Sequence, residues 1–349
     1  MSRHKPCLIP LFALLCLSLA AAFAAEDRAP HVLASIWEND LLFNPLPRQH
    51  QDRHYTQGLK VIYLDRGEPV PGWAHGLGLD KLTRCLPLAW IDPAATNFGV
   101  AFGQNIFTPE DNRSTNVIAS DRPYAGWLYA GLAIQRRGLT PGGRPVLESW
   151  ELNLGVIGPE AQGEWAQNTV HQWRHIPTFE GWENQLRTEP AFVLKYGRAW
   201  RWAINEGSAR YFDVIPHCGV NLGTLMTAGE VGVAMRLGVN LPDDFGVQRI
   251  DSDIVLAGGK TRGWFGAYLF GEVNGRAVGR NAFLDGNLYQ SSHHVDKRPL
   301  VADMIWGLAA TFGRHCELSW TVISRTREFD NQTGFDEFGS LAGKLTWAF

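Results

Sequence analysis

Two groups of residues in this chain have types and spacings suited to catalysis. The first lies in the stretch GPEAQGEWAQNTVH, Gly158 to His171. Gln167 and His171 are four residues apart, so a helix stacks them on one face. A histidine, with an ordinary pKa of roughly 6.5, suits proton transfer near neutrality. The second group is rich in oxygen: Asn39 and Asp40 in END, and Thr56 in RHYTQG. Joined by a carboxylate from Glu180, Glu183 or Glu189, this set suits a hard cation such as Ca²⁺ better than zinc. Arg113 and Arg122 lie in another loop, where an arginine suits a phosphate. Each residue also has a plainer reading: a cover helix with a satisfied histidine, a polar strand end, a solvated carboxylate, a loop salt bridge.

Other chemistries find less support. There is no Gly-x-Ser-x-Gly elbow. Ser291 and Ser292 precede His293 and His294, but adjacency in sequence is not triad geometry. No Walker A motif, and no GxGxxG in strand–helix context, is present. There is no CxxC for a cysteine zinc site.

The elements that must position these residues are mostly strands. Trp150, Leu152, Leu154 and Val156 alternate with Glu151, Asn153 and Gly155. Period-two patterning of this kind outlines about twelve strands, near 31–40, 53–65, 97–106, 125–137, 147–157, 190–200, 209–220, 229–240, 264–275, 300–313, 315–328 and 338–349. A hairpin between the first two brings Asn39, Asp40 and Thr56 to one rim. A regular strand would send Asn39 and Asp40 to opposite faces, so a bulge or a strand end is required to converge them. Gly158-Pro159 ends the fifth strand, and Pro suits the first turn of a helix.

The first 25 residues read as a secretory signal: basic Arg3 and Lys5, an apolar run over 8–23, and small residues at Ala22–Ala25. Residues 26–349 then form one domain. Without Arg3 and Lys5 the 32 Lys and Arg fall to 30 against 35 Asp and Glu, leaving no basic excess for nucleic acid. Cys85, Cys218 and Cys316 are too few and too scattered for a disulfide framework. No later apolar run reaches the roughly 20 residues of a spanning helix. Trp37, Trp127, Trp150, Trp200, Trp202, Trp264, Trp306 and Trp347 cluster near strand ends, and the chain ends in Phe349. Together with the alternation and the signal, these features point to an all-β transmembrane antiparallel barrel. A soluble periplasmic β-sandwich or barrel is the alternative. With both termini periplasmic, strand parity puts the irregular segments 41–52, 107–124 and 158–189 at the cell surface. Parity also makes 66–96 and 241–263 periplasmic, although both are long for turns; each has room for a short helix or a miscounted strand pair.

END at 38–40, DRHYTQG at 52–58, DRPYAGWLY at 121–129, GVIGPEAQGEWAQNTVH at 155–171, GWENQL at 181–186 and FLDGN at 283–287 together resemble the outer-membrane lipid A 3′-O-deacylase family. The resemblance runs from about residue 31 to the C-terminus. It implies a twelve-stranded barrel in the outer membrane of a Gram-negative bacterium, and a monomer is the expected state. Its active site would face the cell surface, with lipid A of lipopolysaccharide as substrate. The implied activity is calcium-dependent hydrolysis of the ester that carries the 3′ acyloxyacyl chain. His171 would be the base, and Asn39, Asp40, Thr56 and Gln167 would belong to the active site. Asp40, Thr56 and Glu180, with Glu183 in reserve, would hold Ca²⁺. Arg113 and Arg122 would take the place of the family's lysine in binding substrate. A passive porin or a non-catalytic lipid A-binding barrel is the competing expectation.

Overall fold

A computed structural model describes residues 31–42, 53–66, 69–85, 92–204, 210–252, 263–313 and 315–347. The expected signal segment, most of the first loop and Phe349 lie outside the described residues.

Thirteen strands form one antiparallel sheet among the described residues. They are β1 (His31–Asn39), β2 (His54–Arg66), β3 (Asp92–Thr108), β4 (Ala125–Leu139), β5 (Pro145–Ile157), β6 (Glu189–Trp200), β7 (Trp202–Ile204), β8 (Phe212–Gly223), β9 (Met226–Val239), β10 (Phe265–Asn281), β11 (Leu300–Phe312), β12 (Cys316–Arg325) and β13 (Asp336–Trp347). Each strand pairs with its neighbour in sequence, except at β7. That three-residue strand only extends the edge of β8, and β6 pairs directly with β8. The first strand closes on the last, with His31 opposite Trp347 and Asn39 opposite Gly339. The result is a closed barrel of twelve strands with one short extra strand. Closure leaves no edge unpaired, which is what a hydrocarbon environment demands.

The alternation seen in the sequence separates two environments. Leu59, Val61, Val100, Phe102, Leu154 and Met235 are exposed on the outer face. The inward positions between them are buried and largely polar: Lys60, Glu151, Asn153, Asp213, Arg236, Asp303 and Arg325. Buried charges are tolerable only when paired. Lys60 donates to Glu151 at 2.6 Å, and Arg236 takes both oxygens of Asp213 at 2.9 and 2.6 Å. One aromatic departs from the expected belt. Trp127 points inward, 3% exposed and stacked on Tyr129, because its place in register opposite Asn105 puts it on the lumen side.

Among the described residues, neither long turn holds an extra barrel strand. Residues 69–85 carry two short helices, α1 (Gly72–Gly76) and α2 (Leu79–Cys85). Ala74 and Leu79 pack on Phe98 and Ile134, which share the outer face with Phe102. The segment after β9 turns back into the lumen instead. Arg236 and Lys344 bind Asp244, Arg249 forks onto Glu272 with two 2.8 Å bonds, and the Ile250 amide donates to Glu38 at 3.0 Å. Asp251 accepts from Arg325 at 2.8 Å. Residues 241–252 therefore plug the barrel, and two pockets between them and the wall measure about 30 and 10 Å³. At the entrance to this plug, Asp243 meets Arg201, Arg210 and Arg137. Partial burial would raise its carboxyl, but the guanidinium of Arg201 and its neighbours bring it down to about 2.

Candidate active site on the outer wall

The requirement for a bulge or a strand end is met twice. β1 stops at Asn39, and Asp40 opens a 3-10 turn, Asp40–Leu42. Opposite, the β2–β3 register slips between Tyr55 and Gln57, so Thr56 is the bulged residue. Inward-facing Glu38 anchors the strand end from below, accepting from the Tyr55 hydroxyl at 2.8 Å. On the outer side the Asn39 amide donates to the Thr56 carbonyl at 2.8 Å. The Thr56 hydroxyl lies 2.7 Å from that of Thr108. Asn39 and Thr56 thus meet at the rim, on the outside of the barrel, with Asp40 next in the chain to Asn39.

The stretch after β5 forms a 3-10 turn, Pro159–Ala161, and then helix α3 (Gly163–Arg174). Gly158 permits the turn: at φ 94° it adopts backbone closed to most residues, and a side chain there would strike the Arg187 backbone at 2.6 Å. Acidic Glu164 in the first turn and Arg174 in the last suit the helix dipole. Buried residues recur at Gly163, Gln167 and His171, one face of the helix, and that face meets the outer wall. Gln104 of β3 donates to the Ala161 carbonyl at 2.7 Å. A Cβ on Gly126 of β4 would lie 3.0 Å from Ala161 and 3.2 Å from the Gly163 nitrogen, so glycine lets helix and wall touch.

Packing joins the two groups. The His171 ring meets Phe179 edge-on at 4.7 Å. Phe179 clusters with Ile106, Tyr124 and Trp182, with Ala166 of α3 against them. Ile106 stands in register with Gln57, and Gln57 with Asn39. His171 Nδ1 is 2.7 Å from the Pro177 carbonyl. A carbonyl only accepts, so this nitrogen carries the proton. The neutral ring then has its lone pair on Nε2, the tautomer a general base needs. Gln167 is 2% exposed, yet among the described residues neither of its amide atoms has a hydrogen-bond partner. Such a group costs about 1–3 kcal/mol unless a ligand satisfies it.

The remaining candidates differ in burial. Glu180 and Glu183 are exposed. The Glu180 backbone is pinned, its amide donating to Asn112 and its carbonyl accepting from Tyr124. Glu189 is buried and holds the amides of Leu288 and Tyr289 at 2.9 and 3.0 Å. Arg113 is exposed in the second loop. Arg122 is 1% exposed, stacked over Phe107 at 4.9 Å and 3.4 Å from Glu328, so its guanidinium sits inside the rim rather than on the surface. Among the described residues no three His, Cys, Asp or Glu side chains form a metal cluster. A cation held by Asp40 must therefore draw on neutral oxygens as well. Both Asp40 carboxylate oxygens are buried, and Asp40 adjoins the strand end tied to Thr56. A carboxylate, a hydroxyl and an amide oxygen form a set that fits a hard cation.

His54 belongs to the site's frame, and it escaped the sequence reading although it lies in the same motif as Thr56. It is 1% exposed, with φ of 61°. Its Nδ1 lies 2.6 Å from Asp336 and its Nε2 3.4 Å from Asp121. The clamp ties the bulged strand to the second loop and to β13. Burial would push the Asp121 carboxyl up, but hydrogen bonding to His54 and to the amides of Glu110 and Arg122 holds it below its ordinary range. Asn287 is a second frame residue. It both donates to and accepts from the Arg187 backbone, at 2.8 and 2.9 Å, which explains why FLDGN accompanies the other motifs. No Ser–His pair emerges at 291–294: Ser292 accepts from the Asn287 amide, and His293 bonds the Asp121 carbonyl.

The chain matches the family model described as outer membrane protein LpxR over residues 11–349. No curated protein sequence matches it. Among solved structures it is similar to LpxR from Salmonella typhimurium, with 20% identity, a TM-score of 0.67, and coverage of 91% of this chain and 100% of that one. The translocator domain of the autotransporter NalP from Neisseria meningitidis aligns over 97% of this chain and 95% of its own, at 8% identity and a TM-score of 0.41.

Proposed function

Because the chain belongs to the LpxR family of outer membrane proteins, we propose that it is a calcium-dependent lipid A 3′-O-deacylase. It would hydrolyse the ester of the 3′ acyloxyacyl chain on the outside of the barrel, at the cell-surface end. The observation that carries this reading is the pairing of Gln167 and His171 on the wall-facing side of α3, with His171 Nδ1 set against the Pro177 carbonyl. A site on the outer wall meets a lipid substrate where that substrate lies, which a site in the lumen does not.

In the proposed reaction, His171 Nε2 takes a proton from water as the water oxygen bonds to the ester carbonyl carbon. The tetrahedral adduct collapses by breaking the bond to the sugar 3′ oxygen. That oxygen takes the proton back from His171, leaving a fatty acid and a free hydroxyl. Gln167, buried and without a hydrogen-bond partner among the described residues, orients the water or the carbonyl. Asn39 acts through Thr56 by holding the bulge. Asp40 and Thr56, with the Gln167 amide oxygen, are the proposed Ca²⁺ ligands. The bound ion would supply a Lewis acid for the ester carbonyl. Glu180, exposed beside the Phe179–Tyr124 cluster that packs on His171, is the proposed carboxylate that joins them.

The test is mass spectrometry of lipid A in vesicles carrying the folded protein, with calcium or with a chelator. The expected result is loss of the 3′ acyloxyacyl mass with calcium alone, and none with His171→Ala. Unchanged lipid A beside folded wild-type protein and calcium would refute the reading.

A further inference from the structure

The far side of α3 carries a feature that catalysis does not use. Trp165 and Trp173 are 67% and 75% exposed. They are eight residues apart, with Thr169 midway, so they lie on one line along the helix, about 12 Å apart. That line is offset by two residues from the buried line of Gly163, Gln167 and His171. Two residues turn a helix by about 200°, so the tryptophans face directly away from the wall. Exposing two such rings to water gains nothing for the fold of a helix already seated through its other face.

The position of the helix identifies what covers them. Gln104, which holds the Ala161 carbonyl, stands two residues from Phe102 on the same outer face, and Phe102 is 57% exposed. Leu154, in register with Ala130 two strand positions beyond Leu128, is 54% exposed. The apolar outer band thus comes up to the turn that leads into α3, and the tryptophan face lies on the side of the helix away from the wall. Tryptophan favours the boundary between headgroups and chains, and a helix with aromatic residues on one face lies in that boundary. Arg174 and His175, exposed beside Trp173, add basic groups suited to anionic headgroups.

We propose that the Trp165–Trp173 face of α3 is a lipid-contact surface, seated in the interfacial layer of the leaflet that surrounds this end of the barrel. The helix is thereby held between the wall and the membrane, with its catalytic line inward and its aromatic line in lipid. The proposal rests on the barrel and on the placement of the helix, not on hydrolysis.

The test uses the full protein reconstituted in phosphatidylcholine vesicles whose chains carry bromine close to the headgroup. Tryptophan fluorescence is compared between wild type and the variants Trp165→Phe, Trp173→Phe and the double variant, each confirmed as folded by heat-modifiable gel migration. The wild-type-minus-variant signal isolates the two rings from the others. Strong loss of this difference signal in brominated vesicles, with protection from a water-soluble quencher, is the expected result. A difference signal untouched by brominated lipid but quenched from water overturns the proposal. Since no turnover is involved, an inactive but lipid-seated protein would refute the deacylase reading and leave this one standing.

Discussion

The side-chain amide of Asn39 donates to the backbone carbonyl of Thr56 across 2.8 Å, tying the end of one strand to the bulge of the next. Asn39 is 7% exposed and Thr56 3%, so water replaces little of this bond if it is lost. Asn39→Ala leaves a buried carbonyl unsatisfied, at a cost of about 1–3 kcal/mol. Asn39→Asp puts an acceptor against an acceptor and should do worse. Urea unfolding in detergent measures the stability loss, and deacylation should fall further than stability alone explains, because the bulge that presents Thr56 relaxes. Asn39→Asp with wild-type activity would show that the bond is dispensable.

Gly126 sets the distance between α3 and the wall. Gly126→Val must place its side chain where Ala161 and the Gly163 backbone already stand, an overpacking cost of about 1–3 kcal/mol. The helix should lift rather than the barrel open. The expected result is strongly reduced lipid A deacylation with heat-modifiable migration retained. Hydrogen exchange across 163–174 should rise while exchange in β3 and β4 stays slow.

Acid should loosen the rim before the barrel. The Asp121 carboxyl is held below its ordinary range in the folded protein. Its contribution to stability is therefore complete above the unfolded value near pH ~3.9 and is lost as pH falls through the lower folded value. Asp243 at the plug entrance behaves the same way, its contribution disappearing between the unfolded value and about 2. Limited proteolysis of the 107–124 loop should thus accelerate below pH ~4, while β-sheet circular dichroism persists. An Asp121→Asn variant should cleave readily at neutral pH as well.

Residues 241–252 make the barrel a poor channel. Wild-type protein in planar bilayers should show no steady conductance, since the segment is bound to the wall through Arg249–Glu272, Ile250–Glu38 and Asp251–Arg325. Removing residues 243–251 should produce ion conductance while the strands remain folded. Ohmic conductance from the wild type would revive the porin reading.

Local chemistry wrote much of this protein into its sequence. Alternation marked the twelve barrel strands to within a few residues at most ends, because each strand separates a polar lumen from an apolar surround and its side chains register that division directly. Gly158-Pro159 announced the break before α3, and the spacing of Gln167 and His171 placed both on one helical face. What remained for the tertiary structure was which way each face points and what each group meets. The same alternation fits a catalytic lumen or a catalytic outer wall. Only the contacts of the 3-10 turn and α3 with Gln104, Gly126 and Ile106 put Gln167 and His171 against the outer wall. Arg122 and Glu189 read as surface charges until long-range pairing with Glu328 and with the Leu288–Tyr289 backbone buried them. The plug was invisible for the same reason: its partners Glu38, Glu272 and Arg325 lie far away in sequence, and no local pattern records a contact that exists only once the barrel closes.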